Sequence, residues 1–277
     1  MPAFTTSDGV RLCYDDQGDG PAILCLAGLT RNMADFTFLL AHLAGYRVIR
    51  MDYRGRGQSD HPEDFMSYNI AREGRDAVEL LDHLGLTRVP LIGTSRGGLI
   101  AMLLSVTDPD RLNGVVLNDI GPEIDAAGLT RIIDYLGKEP HQADLDAAAR
   151  ALMAGYAADF PGVPLSRWRE QAAFLWYDKP GGGLGLRYDP RLRDAMIAQA
   201  AAKEPPDLWP LFDGLRDLPL AVIRGANSDL LSRETFAEMA ARHPGMIGTT
   251  VPDRGHVPFL DEPEALAAIH ALLEQVT

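Results

Sequence analysis

The stretch Leu91-Ile92-Gly93-Thr94-Ser95-Arg96-Gly97-Gly98 decides how this chain folds. A short apolar run at 89–92 stops at Gly93, and an apolar helical pattern at 97–106 follows at once. A serine between them, flanked by glycines as G-x-S-x-G, belongs on a sharp strand-to-helix turn. Such a turn holds the serine in a strained conformation and lifts its hydroxyl above the end of a sheet. The glycines are needed because a side chain there would collide with the neighbouring strand or helix. The helix that follows aims its positive N-terminal end at an anion forming beside Ser95.

Working outward, apolar runs at 10–14, 22–26, 46–51 and 114–117 read as further strands, with helices at 33–43 and 70–84 between them. Unbroken apolar runs of this length suit parallel strands buried on both faces, and strand–helix alternation predicts an α/β fold with helices on both sides of a mostly parallel sheet. From 123 to about 208 no buried strand is evident. Short helices at 129–136 and 143–153 are interrupted by Pro161, Pro164, Pro180 and the run Gly181-Gly182-Gly183, which reads as a linker because its spacing fits no phosphate cradle. Sheet grammar returns with strands at 218–223 and 247–251, a helix near 232–242 and a last helix opened by Pro263. The organisation expected is a core of 1–121 and 209–277, interrupted by a helical insert, 122–208, that carries Trp168 and Trp176.

Composition excludes other classes. With 26 Lys+Arg against 39 Asp+Glu the net charge is −13, and no basic stripe is segregated, so nucleic acid is not an expected partner. Hydrophobic residues at 46% and charged residues at 23% match a soluble globular protein. No apolar stretch approaches the roughly 20 residues of a membrane span. The N-terminus lacks the basic and apolar regions of a signal peptide, and Cys13 and Cys25 read as core thiols, so a cytoplasmic monomer or homodimer is expected. None of the 7 histidines pairs with another at ligand spacing, so neither metal nor cofactor is expected.

A serine hydroxyl needs a base within hydrogen-bond reach, and the base needs an orienting acid. His256, in Arg254-Gly255-His256-Val257-Pro258, follows the last strand on the sheet edge where Ser95 emerges. Asp229, in Asn227-Ser228-Asp229, follows the preceding strand on that edge and is the acid chosen here. Its rival is Asp119, at the end of the strand 114–117. Oxyanion donors are expected from the backbone N–H of Arg96 and of Leu29, the latter in Ala27-Gly28-Leu29-Thr30.

These residues resemble the α/β-hydrolase superfamily over nearly the whole chain. The order Ser95, Asp229, His256 is the order that family uses. Asp52-Tyr53-Arg54-Gly55-Arg56-Gly57-Gln58-Ser59 is similar to its D-x-R-G-x-G-x-S loop, and Phe259-Leu260-Asp261-Glu262-Pro263-Glu264 to its tail after the histidine. The resemblance implies the α/β-hydrolase fold, with the insert as a cap over the pocket. Two positions depart from the pattern. Ala27 stands where members usually carry His before the oxyanion donor, and Arg96 where Met, Leu or Gln is frequent. The Arg96 guanidinium either turns away into a salt bridge or, with Arg31, faces the pocket and attracts a carboxylate.

The function expected is a serine hydrolase acting on a small-molecule ester or lactone, with Arg31, Trp168 and Trp176 as substrate-binding residues. C–C bond hydrolysis of a ring-cleavage diketone is the alternative enzyme, and a slow-turnover hydrolase-like receptor the alternative class. Haloalkane dehalogenase and epoxide hydrolase fit less well, because those relatives place a carboxylate where this chain has Ser95.

Overall fold

The computed structural model describes residues 1–202 and 206–276, so the expected insert (at 203–205) and core (at 277) each include positions outside the described residues. The chain begins with β1 (Ala3–Thr5), β2 (Arg11–Gln17), β3 (Ala22–Leu26), α1 (Thr37–Leu40), β4 (Arg47–Met51), α2 (Ile70–His83), β5 (Val89–Thr94), α3 (Arg96–Thr107) and β6 (Leu112–Asn118). It then leaves the sheet for α4 (Ala126–Tyr135), α5 (Leu145–Gly155), α6 (Leu165–Leu175), β7 (Trp176–Asp178), β8 (Leu184–Leu186) and α7 (Leu192–Ala202). It returns through α8 (Trp209–Asp213) to β9 (Leu220–Gly225), α9 (Arg233–Arg242), β10 (Ile247–Val251) and α10 (Pro263–Val276).

The main sheet has 8 strands in the order β1-β2-β4-β3-β5-β6-β9-β10. β1 and β2 pair antiparallel with each other and β2 with β4, and every other pair is parallel. This is the α/β-hydrolase fold. Along each central strand, side chains alternate between two cores. Leu24, Leu26, Leu91, Val115, Leu117 and Val222 face α2, α3 and α8. Ile23, Cys25, Ile92, Val116, Ala221 and Ile223 face α1 and α10. Both faces are dry, which is why the strands read as unbroken apolar runs. Burial pushes the Cys25 thiol up to about 12. The order in which strands are added to the sheet reverses between β3 and β5, where β4 lies to one side and β6 to the other, and crevices at such a switch point are where α/β sheets bind ligands.

Three expectations shift in detail, and one strand, β1, is too short for its pattern to be read from the sequence. The helix expected at 33–43 is a 3₁₀ turn, Met33–Phe36, capped by the Asn32 side chain on Ala34 N at 3.0 Å, followed by the single turn of α1. The insert does contain strands: β7 and β8 form an antiparallel hairpin. Gly181-Gly182-Gly183 is the turn of that hairpin, with φ of 90° at Gly182 and 76° at Gly183, and not a linker.

The loop after β4 explains its own sequence. Asp52 accepts from Met33 N at 2.8 Å and Gln58 N at 2.9 Å, and a Cβ at Gly57 would lie 1.9 Å from its carboxylate. The fully buried Arg54 guanidinium is held by Asp76 at 2.7 Å and Asp8 at 2.9 Å. The same loop meets the insert, where Gly57 N donates to Arg187 O and Asp189 N to Gly55 O, both at 2.7 Å. Removing one partner of a buried pair leaves the other uncompensated. Arg54→Met is therefore expected to lower unfolding stability by about 3 kcal/mol, read from the urea midpoint, whereas a loss below about 0.5 kcal/mol would show the pair to be dispensable.

Candidate active site

Ser95 lies between β5 and α3 with φ 48° and ψ −109°, a conformation that L residues rarely adopt. The glycines around it are sterically required. A Cβ at Gly93 would come within 2.5 Å of the Gly97 backbone, and one at Gly97 within 2.0 Å of Leu26 O. Ser95 N donates to Asn118 O at 3.0 Å, fixing the turn to the end of β6.

His256 reaches the serine from the loop after β10, with Nε2 3.1 Å from Ser95 Oγ and Nδ1 2.7 Å from Asp119 Oδ2. A carboxylate only accepts, so Nδ1 carries the proton and Nε2 is free to accept from the serine hydroxyl. Asp119 itself has a positive φ of 54° and a fully buried side chain. Its Oδ1 accepts from Gly225 N at 2.8 Å, and its Oδ2 also accepts from Ser228 Oγ at 2.6 Å.

The acid beside His256 is thus Asp119, and the choice of Asp229 is corrected. Asp229 does lie on the loop after β9, but its carboxylate turns outward to Arg131 of α4 at 3.2 Å. The turn preceding it is the reason. Ser228 Oγ accepts from Leu230 N at 3.2 Å and Leu231 N at 3.1 Å while donating to Asp119, so this serine, not Asp229, faces the relay. Ser228 was not singled out from the sequence, and its only signal was a small hydroxyl residue in a turn on the catalytic edge.

Gly28 lets the loop after β3 come close, since its Cβ position is 3.9 Å from Ser95 Cβ. Among the described residues, neither Leu29 N nor Arg96 N donates to a protein acceptor, so both amides are available beside the serine. The Arg96 guanidinium turns away from the serine and binds the buried carboxylate of Glu73. Burial would push the Glu73 carboxyl up, but Arg56 and Arg96 beside it outweigh that and hold it below its ordinary value. Glu73 was also missed. Its signal was an acid in register with Ala77 and Leu80 on the buried face of α2.

A cavity of about 450 Å³ opens above Ser95 and His256, roofed by α4, α5 and α6. Arg31, Trp168 and Trp176 all line it, whereas Arg96 does not. Trp168 stacks on Tyr156 at 5.7 Å and meets Phe160 edge-on, joining the roof to Phe259 of the core. Phe174 packs instead on Phe38 at 5.7 Å. Arg31 pairs with Asp35 at 3.2 Å, a carboxyl that burial raises while Arg31 and His256 pull it back. Among the described residues, no cluster of His, Cys, Asp or Glu is placed to hold a metal ion, and no helix is long and apolar enough to cross a membrane.

A nucleophile elbow, a histidine and a buried acid on one sheet edge define a class of enzyme, and comparison with known proteins agrees. The model of the alpha/beta hydrolase family matches residues 23–269, and the chain belongs to that family. It is similar to 3-hydroxybutyrate-oligomer hydrolase of Cupriavidus necator, with 36% identity covering 93% of this chain and 90% of that protein. The crystal structure of an alpha/beta hydrolase from Novosphingobium aromaticivorans superposes with a TM-score of 0.92 at 42% identity, covering 99% of this chain and 98% of that one. E-2-(acetamidomethylene)succinate hydrolase follows with a TM-score of 0.83 at 25% identity, covering 99% of both chains. The protein is accordingly an enzyme of the hydrolase class.

The two aspartates separate cleanly in a labelling assay. Asp119→Asn is expected to slow modification of Ser95 by a fluorophosphonate about 10³- to 10⁴-fold. Asp229→Asn should remain within about threefold, because its carboxylate does not touch His256. A time course by intact mass reads both, and the reverse order would restore Asp229 as the acid.

Proposed function

We propose that this hydrolase cleaves a small or medium carboxylic ester through an acyl-enzyme on Ser95, with His256 as base and Asp119 as its orienting acid. The observation that carries the reading is the unbroken line from Asp119 Oδ2 through His256 to Ser95 Oγ, opening into the cavity. Ser95 Oγ attacks the ester carbonyl as His256 Nε2 takes its proton. The carbonyl oxygen, now an anion, is held by the N–H groups of Leu29 and Arg96. Asp119 stabilises the imidazolium, which then protonates the departing alcohol. Water attacks the acyl-enzyme with His256 again as base, and Ser95 is released with the acid product. No cofactor enters this cycle. The described residues of the insert act as the cap that excludes bulk water from it.

Arg31 supports a substrate that carries a carboxylate. It lines the cavity next to the oxyanion loop, and its side chain is paired with the carboxylate of Asp35 at 3.2 Å. The relatives fit the same chemistry: oligomers of 3-hydroxybutyrate are esters ending in a free carboxylate, and the succinate named for the second hydrolase is a dicarboxylate. With Arg96 turned onto Glu73, Arg31 is the one of the two arginines that lines the cavity. The similarity to an oligomer hydrolase along most of the chain favours ester hydrolysis over C–C bond cleavage.

Steady-state hydrolysis of p-nitrophenyl esters of graded acyl length tests the chemistry. Activity should peak at short acyl chains, and Ser95→Ala should lose about 10³-fold or more in kcat. A loss below about 10² would exclude the acyl-enzyme. For the anion preference, Arg31→Leu should raise KM for the 3-hydroxybutyrate dimer about tenfold and leave KM for its methyl ester nearly unchanged. Equal changes for both would remove Arg31 as the carboxylate anchor.

A further inference from the structure

We infer that Arg56, Glu73 and Arg96 form a buried ion triplet whose work is to hold the two oxyanion amides in register, which makes them positioning residues for the reaction. The inference rests on the reading of Ser95 as an acyl-transfer nucleophile. Glu73 and Arg56 are fully buried, and Glu73 receives both guanidiniums: Arg56 Nη1 on Oε1 at 2.7 Å and Arg96 Nε on Oε2. Each arginine is joined to one half of the hole. Arg56 Nε donates to Leu29 O at 3.0 Å, so the carbonyl on one side of the Leu29 Cα is fixed and the amide on the other side inherits its direction. Arg96 supplies the second amide from its own backbone, at the first turn of α3.

The carboxylate of α2 therefore connects two segments that are otherwise separate in sequence, the loop after β3 and the start of α3. Two weaker ties run parallel to it, with Gly97 N and Tyr53 Oη donating to Ala27 O, both at 3.1 Å. Neither reaches Leu29. Arg56 Nη1 also donates to Arg54 O at 2.7 Å, which anchors the triplet to the loop after β4. Donors must converge within a few tenths of an ångström on the oxyanion to be effective, and a displacement of about 1 Å costs on the order of 10²-fold in rate. Two guanidiniums also share one carboxylate, leaving a surplus positive charge in a dry region behind the amides, where it favours the oxyanion.

Stoichiometric release of p-nitrophenol from diethyl p-nitrophenyl phosphate tests this without knowledge of the natural substrate, because the phosphoryl oxygen occupies the oxyanion hole while Ser95 is modified. The variants are Arg96→Met, which leaves Glu73 paired with Arg56, and Arg96→Lys, which can restore the ion pair. Arg96→Met should be phosphorylated about tenfold more slowly, with kcat for a p-nitrophenyl ester falling equally and KM within about twofold. Arg96→Lys should regain most of that rate. Thermal melting of each variant separates positioning from stability: a rate loss that only follows the unfolded fraction, or a rate for Arg96→Met within twofold of wild type, overturns the inference. Phosphorylation of wild type at Ser95 with all esters refused would remove the ester reading alone, since slow labelling of Arg96→Met would still support the triplet. A wild type left unmodified at Ser95 would overturn both.

Discussion

The structure depends on how closely the turn at Ser95 approaches β3. With Gly97 in place of any larger residue, α3 starts directly against Leu26 O, and with Gly93 the strand end tucks under it. This close contact forces Ser95 to φ 48°, which no isolated serine would prefer. The strain is held by cooperative surroundings: Ser95 N on Asn118 O, β5 paired on both sides, and α3 buried between the sheet and α2. Each of these ties comes from a different part of the chain. The serine is therefore held in its elbow geometry by ties that come from several parts of the assembled core.

The relay beside it is built on the same principle of over-determination. Asp119 is a buried carboxylate, which would be costly alone, but three donors converge on its two oxygens. Two of those donors come from the neighbouring strand and its loop, Gly225 N at the end of β9 and Ser228 Oγ just after it, so that strand fixes the acid in the rotamer His256 requires. The cavity above is lined by stacked rings of the roof, and its polar groups come both from the catalytic floor, Arg31 among them, and from the insert, where Lys138, Glu139 and Gln171 line it. A mixed lining of this kind suits a ligand with polar as well as apolar parts.

Much of this was legible in the sequence wherever local chemistry decides the outcome. The bounds of β3 and β10 agree with the apolar runs, Pro263 does open α10, and Ser95 and His256 meet as their loops require. What stayed hidden depends on which way a side chain turns. Asp119 and Asp229 both follow strands on one edge, and pattern alone cannot say that the turn at Ser228 points one carboxylate to α4 and leaves the other to the histidine. Arg96 is settled by Glu73, a partner on another helix. The hairpin β7–β8 escaped because strands of 3 residues show no periodicity, and its glycines read equally well as a linker.

Moving the acid onto the end of β6 also changes what the loop after β9 is free to become. In that loop Ser228 alone is committed to the relay, and Asp229 bonds outward to the roof. Ala226 N and Asn227 N are tied to Val251 O at 2.9 Å and Arg254 O at 2.8 Å, and Leu230 and Leu231 are buried. The freedom falls to Asp229, whose charge can be exchanged to suit a different roof while the proton relay below keeps its shape. The fold thus separates the position that meets the roof from those that hold the relay.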